Sequence, residues 1–339
     1  MKILLRKCWQ SVLAVSALFA ASTTDADAQG QYYWGQSDMP YIEYRGFSLG
    51  TNFGLADMWG DVGTKSPVDH YLSSEYWKEP HFMGGLFLRY THVPGLSVRL
   101  GGNYGKVFAD DNWNQKKALE AESIQDDYFQ SYLRNQIIRT SIWEANMIFE
   151  IAPLRLFSNW EFSRAAQRNF QPYLLLGGGY FRYNPTGLYK DFVNNTERWH
   201  DLRPLRTEGQ GYNLPGMPDY YGMTAYSVIA GLGIKWDVGR SYGLGLEYQL
   251  RYTFTDYLDD VSGQYIDKIY HDIANVERPG QSQFIDNMMD KSYEIMPGYK
   301  HQPGEYRGDP NNKDMFSTIS LVFYWKIDAR AIAWWNDFR

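Results

Sequence analysis

The chain has 339 residues, with 33 Lys and Arg against 39 Asp and Glu, for a formal net charge of −6. That balance excludes the broad basic face that a nucleic-acid partner requires. The single cysteine, Cys8, lies so early that the mature chain is expected to have neither a disulfide nor a thiolate-bound metal. Aromatic residues make up 17% of the chain although the mean hydropathy is only −0.49. A polar average with many rings suits a transmembrane β-barrel, whose strands are polar on one face and belted by aromatics on the other.

Lys2, Arg6 and Lys7 precede the apolar stretch 11–21, and Ala26-Asp27-Ala28 supplies small residues at a cleavage site. Residues 1–28 therefore read as a secretory signal peptide, since the apolar run is too short to span a bilayer as a helix. Residues 29–42 follow as an N-terminal periplasmic segment, 43–327 as the barrel and 328–339 as a C-terminal periplasmic tail. The tail contains Trp334 and Trp335, which suit a membrane interface.

Period-2 alternation marks the strands. The clearest run is 242–254: Tyr242, Leu244, Leu246, Tyr248, Leu250, Tyr252 and Phe254 share one face, and Glu247, Gln249 and Arg251 the other. Residues 225–238 set Tyr226, Val228, Leu232, Ile234 and Trp236 against Ser227, Lys235 and Asp237. Residues 141–151 set Trp143, Met147, Phe149 and Ile151 against Glu144, Asn146 and Glu150. Weaker runs cover 43–55, 81–91, 96–107, 172–183 and 315–327. Together these runs predict an all-β fold, an antiparallel transmembrane β-barrel of eight strands, with both termini on the periplasmic side.

The connections sort by length as such a barrel requires. Short turns fall at 92–95 and 239–241. Long loops fall at 56–80, 108–140, 184–224 and 255–314. The connection 152–171 is longer than a usual periplasmic turn and carries Arg155, Phe157, Trp160, Phe162, Arg164 and Arg168. Within the loops, 115–132 has helix-forming composition and reads as a short solvated helix. The loop 275–314, rich in Pro, Gly, Asn and Asp, reads as irregular.

An eight-stranded barrel is filled by its own side chains and leaves no wide channel. The inward residues Glu144, Glu150, Lys235, Asp237, Glu247 and Arg251 are therefore expected to form a mutually paired network. Of six histidines, His70, His200, His271 and His301 fall in outer loops and His92 at an inner turn; only His81 begins a strand at the outer rim. No spacing singles out a catalytic triad, so no enzymatic activity is expected. No histidine pair has zinc-ligand spacing and no Gly-rich phosphate loop opens a helix, so no cofactor is expected either. Gly177-Gly178-Gly179 falls inside a strand, where glycine permits close packing or a bend. The stretch YTFTDYLDDVSG (252–263) contributes Asp256, Asp259 and Asp260, the weak candidates for a metal ion. Calcium would need further oxygen ligands. The stretch reads instead as a strand end at the outer aromatic girdle, followed by a hydrated turn.

Several segments, taken in order, resemble the PorG-like outer-membrane barrels of Bacteroidetes. They are GFSLGTNFGLADMWGDVG (46–63), QPYLLLGGGYFRYNP (171–185), WHDLRPLRTEGQG (199–211), YGLGLEYQLRYTFTDYLDDVSGQYID (242–267) and RGDPNNKDMFSTISLVFYW (307–325). Thr207, Glu208, Gly209, Gln210 and Gly211, with Asp256, Tyr257, Leu258, Asp259 and Asp260, are the signature positions. The resemblance implies a structural component of the type IX protein secretion system. It would lie in the cell outer membrane among outer-membrane lipids, anchoring a periplasmic lipoprotein ring (PorK/PorN-like). Relative to that family, the loop 270–310 is expanded and the tail 328–339 is additional. The size and aromatic content of the outer loops suit an alternative, a surface-exposed barrel that binds an external ligand or accompanies an outer-membrane transporter.

Overall fold

The computed structural model describes residues 46–63, 70–71, 76–78, 80–93, 95–156, 170–192, 194–238, 242–274 and 281–327. The signal peptide, the segment 29–42, the tail 328–339 and most of the connection 152–171 lie outside the described residues.

Strands follow the alternating runs: β1 (Gly46–Trp59), β2 (Phe82–Val93), β3 (Leu96–Asp110), β4 (Ile137–Ile151), β5 (Phe170–Asp191), β6 (Thr196–Asp201), β7 (Thr224–Val238), β8 (Tyr242–Thr253) and β9 (Met315–Lys326). All neighbouring pairs are antiparallel. Eight strands close into a ring in the order β1-β2-β3-β4-β5-β7-β8-β9, with β9 returning to pair β1. The ninth, β6, stands outside the ring and pairs only with the far end of β5, from Thr186 to Asp191. The long loop 184–224 therefore contains a hairpin. It extends β5 well past the Tyr183 end that the pattern suggested.

Alternation places the solvents as well as the strands. Trp143, Leu86, Leu321 and Phe53 are among the most exposed large side chains, at 62%, 68%, 71% and 60%. The alternate residues along the strands, among them Arg99, Glu144, Gln249 and Arg251, are buried on the opposite face. A contiguous apolar outside around a charged inside is the inverse of a soluble core, and closure leaves no unpaired edge to face lipid. Outward rings pack on one another across neighbouring strands, for example Tyr104 on Trp143 at 4.3 Å and Tyr180 on Tyr226 at 5.2 Å. Inside the glycine run, Gly177 lets β4 approach: a Cβ there would sit 2.2 Å from the Met147 carbonyl oxygen. None of the helices among the described residues is long and apolar enough to cross a membrane.

The outer loops differ from expectation. Residues 115–132 form two short helices, Gln115–Glu120 and Asp127–Arg134, and the second buries Leu133 and Arg134 instead of standing free in solvent. The described part of the loop 275–314 is ordered, with helices Ser282–Met289 and Ser292–Ile295. Ile285, Met288 and Met289 supply the physical reason, because their apolar side chains are buried in the cap. The cap's apolar core gathers Val62, Ala109, Ile138, Leu202, Tyr221, Leu258, Val261 and Met288 above the barrel mouth.

Candidate functional site

Two polar assemblies lie along the barrel axis. The lower one fills the lumen in layers. Nearest the outer mouth, Arg251 donates Nε to Glu144 Oε1 at 2.7 Å, and Asn103 donates to Glu144 Oε2 at 2.8 Å. Below them, Arg99 grips Glu247 with both terminal nitrogens at 2.8 and 3.0 Å, and the Tyr173 hydroxyl donates to the same carboxylate at 2.5 Å. Glu150 then meets Arg89 at 2.9 Å, with Lys235 3.8 Å from its other oxygen. At the inner end, Asp237 takes Lys326 at 2.8 Å, Arg155 at 3.0 Å and the Tyr324 hydroxyl at 2.6 Å. Each of the six inward residues expected from the sequence lies in this ladder. Such pairing is what a low-dielectric interior requires, since an unpaired buried charge costs several kcal/mol. Arg89 and Arg99 were missed. The alternation Ser97, Arg99, Gly101 and Asn103 against Val98, Leu100, Gly102 and Tyr104 already carried the signal, but the glycines blurred it.

The upper assembly is the cap, and it overturns one expectation. Asp256, Asp259 and Asp260 are buried, at 4%, 0% and 0% exposure, not a hydrated turn beyond the membrane. They are enclosed because segments distant in sequence fold over them. Thr207 donates its hydroxyl to Asp260 Oδ2 at 2.6 Å, and Tyr221 donates to Oδ1 at 2.5 Å. Glu208 accepts the backbone amides of Ser262 and Gly263, both at 3.0 Å. Arg307 ties these together, donating Nη1 to Glu208 Oε1 at 2.9 Å and to the Asp260 carbonyl at 2.6 Å. Gln210 accepts the Glu208 amide at 3.1 Å, and Leu258 offers its carbonyl to Thr140 at 2.7 Å. Gly209 and Gly211 both sit at positive φ, so the TEGQG stretch turns sharply enough for Glu208 to face inward. Tyr257 stacks on Tyr221 with ring centroids 4.4 Å apart.

The residues that follow β1, Gly60 to Val62, join the same assembly. Asp259 accepts the Val62 and Val261 amides, each at 3.0 Å, and Asp61 accepts the Asp309 amide at 2.8 Å. Gly60 sits against two of the carboxylates. A Cβ on it would lie 2.4 Å from Asp259 Oδ2 and 2.8 Å from Asp314 Oδ1, so any larger residue would force these carboxylates to move. Arg134 binds Asp111 through two nitrogens at 2.8 and 2.7 Å and also donates to the carbonyls of Arg307 and Asp61, both at 2.6 Å.

Burial pushes Asp256 and Asp259 up to about 7 and Asp260 to about 6, and holds Asp314 well above the usual carboxylate range. Asp259 and Asp256 add to the rise at Asp314, because like charges in one low-dielectric site cannot all ionise. Among the described residues, no group of three or more His, Cys, Asp or Glu side chains could hold a metal ion.

The histidines are dispersed. His70 contacts Asp57 and stacks on Trp59 at 4.0 Å, His81 stacks on Phe108 at 4.8 Å, and His301 meets Asp290 at 3.0 Å. His271 accepts or donates at 2.8 Å with the Tyr212 hydroxyl, and burial lowers it to about 4. His200 packs edge-on to Phe284 at 4.9 Å. Chemically, the cap is a rigid polar staple, built from interlocked carboxylates, guanidiniums and backbone amides.

No family model matches the sequence, and no curated protein matches it. Among solved structures the chain is similar to Ail, the attachment invasion locus protein of Yersinia pestis, in complex with the heparin analogue sucrose octasulfate. That match has a TM-score of 0.32 and 9% identity, over 83% of this chain and 99% of that one. Neisserial surface protein A matches with a TM-score of 0.32 and 9% identity, over 83% and 97% of the two chains. The outer membrane protein OprG of Pseudomonas aeruginosa matches with a TM-score of 0.31 and 10% identity, over 84% and 98%. So loose a likeness says nothing of function.

Proposed function

We propose that the chain is an outer-membrane β-barrel with a structural, non-catalytic role in type IX protein secretion, resembling the PorG-like family and anchoring a periplasmic lipoprotein ring. One observation carries this reading. The segments quoted for the resemblance, though far apart in the chain, meet in a single cap, where Val62, Thr207, Glu208, Asp259, Asp260 and Arg307 are directly bonded. Residues that co-occur as a signature and also bond to one another form one structural unit. The paired lumen is consistent with an anchor and offers no path for a diffusing solute.

The test is a crosslinking pull-down from native outer membrane. Recovery of a periplasmic lipoprotein with its ring partner is expected, and the crosslinks should map to the inner turns and to 152–171. A barrel that remains folded yet captures no periplasmic lipoprotein would overturn the reading.

A second reading, external ligand binding or support of an outer-membrane transporter, is favoured by apolar side chains left exposed on the cap: Leu119, Phe192 and Tyr306 at 73%, 67% and 75%. Changing these three to Ser should abolish surface binding if that reading holds and leave secretion unaltered. Truncating 270–310 is a poor substitute, because it removes Arg307 and unlocks the cap.

A further inference from the structure

Near the outer rim of the barrel, three cations share the outward side of adjacent strands, above an otherwise largely apolar stretch of wall. On β3, Lys106 continues the outward series of Leu100, Gly102 and Tyr104. On β4, Arg139 continues the series of Ser141, Trp143 and Met147. On β5, Arg182 follows Leu176, Gly178 and Tyr180 and is exposed. Register fixes their relation. Lys106 lies directly opposite Ser141, which lies opposite Asn184. Arg182 lies opposite Trp143, and Arg139 opposite Phe108 and Thr186. Neighbouring strands are about 4.8 Å apart and alternate residues about 7 Å apart. The three cations therefore surround the small Ser141, one beside it, one above and one diagonally below.

Arg139 is held in place over the Trp199 ring at 4.1 Å. None of the three forms a salt bridge with a described residue. The nearby carboxylate, Asp201, is engaged by Asn184 at 2.8 Å. Directly below the patch, Tyr104, Trp143, Tyr180 and Tyr226 form a ring belt of the kind that settles at a headgroup layer. Cations without a carboxylate partner among the described residues, on the outward wall beside a ring belt, suit an anion that the lipid itself can bring.

We propose that Lys106, Arg139 and Arg182 form a docking site for a phosphate-bearing lipid of the outer leaflet, with the phosphate seated over Ser141 and the acyl chains along Leu100, Met147 and Leu174. Arg offers planar, multi-donor recognition of phosphate and Lys a compact point charge, so the set suits an oxyanion. A phosphorylated glycolipid fits better than a free ion, because the apolar wall continues unbroken beneath the cations.

The test is native mass spectrometry of the full chain in detergent, titrated with a bis-phosphorylated diglucosamine lipid. Parallel arms use the same lipid after phosphatase treatment and inorganic phosphate alone. The phosphorylated lipid is expected to stay bound. The dephosphorylated form should bind at least roughly tenfold more weakly, and inorganic phosphate should not displace the lipid. Lys106→Gln, Arg139→Gln and Arg182→Gln together should abolish the preference. Arg182→Gln alone, at an exposed position that leaves packing intact, should weaken it severalfold, whereas Lys268→Gln in the cap should not. Retained folding is read from the heat-dependent gel shift of a closed barrel. Equal binding of both lipid forms, unchanged binding by the folded triple variant, or displacement by inorganic phosphate would overturn the proposal.

Discussion

Arg134→Met probes the cap at the point where most of its strands of chain are tied. The methionine keeps the apolar stem but removes four donated bonds, two to Asp111 and one each to the carbonyls of Arg307 and Asp61. Asp111 is fully buried and would retain only the amides of Gly63 at 3.1 Å and Gln136 at 2.9 Å. Breaking a buried ion pair by removing one partner costs about 3–5 kcal/mol. The two remaining amides favour the lower end, about 3 kcal/mol, equivalent to roughly a hundredfold rise in the open population of the cap. Hydrogen exchange of the protein in micelles reads this directly. Amides of 111–136, 256–263 and 307–309 should exchange far faster, while those of β3, β4, β7 and β8 at barrel mid-height stay unchanged. Adding Asp111→Asn should recover much of the loss, because the buried negative charge is then gone. Unchanged exchange across the cap, with the barrel folded, would show that the Arg134 bonds contribute little and would refute the staple.

Three further outcomes follow from the same geometry. The carboxyls of Asp256, Asp259, Asp260 and Asp314 are raised by burial, so their folded values lie above the unfolded value near 4. Their contribution to stability is then complete below about pH 4 and is lost as pH rises through about 6 to 7; cap amides corrected for intrinsic rate should exchange faster at pH 8.5 than at pH 5, and Asp314→Asn should flatten that dependence. Glu247→Leu leaves the buried Arg99 guanidinium only its longer contact with Glu150 at 3.4 Å and should lower barrel stability by about 3 kcal/mol, the low end for a broken buried pair, in denaturant unfolding; a loss below about 1 kcal/mol would mean that the ladder is not a coupled network. Reconstituted in planar bilayers, the wild-type chain should show no conductance steps, since Arg99 and Glu247 meet across the lumen; steady ion-conducting steps would contradict a filled interior.

Much of this was legible from residue order. Alternation around Tyr242–Thr253 assigned Leu244 and Leu246 to lipid and Glu247 and Arg251 to the lumen, because a strand's period of two leaves no other choice. Strand number followed from counting such runs and from the alternation of short and long connections. The cap was not legible. Asp256, Asp259 and Asp260 read as a hydrated turn because acidic, aromatic and Gly-containing loops look alike whether solvated or enclosed. What encloses them comes from Val62, Thr207, Tyr221 and Arg307, none of which is close to them in sequence. The loop helices at 282–295 were similarly hidden. Their burial depends on apolar partners such as Leu202 and Tyr189 on distant segments, and composition alone marked the loop as irregular.

The sequence by itself determined that this chain closes strands into a barrel with an apolar outside and a charged inside. Those properties are local and repeat with the pleat. Only the tertiary structure decided which charges meet, that the outer loops lock into one buried polar staple, and that three cations gather on the lipid-facing wall. Pairings across strands and between loops depend on register and closure, and no window of residues contains them.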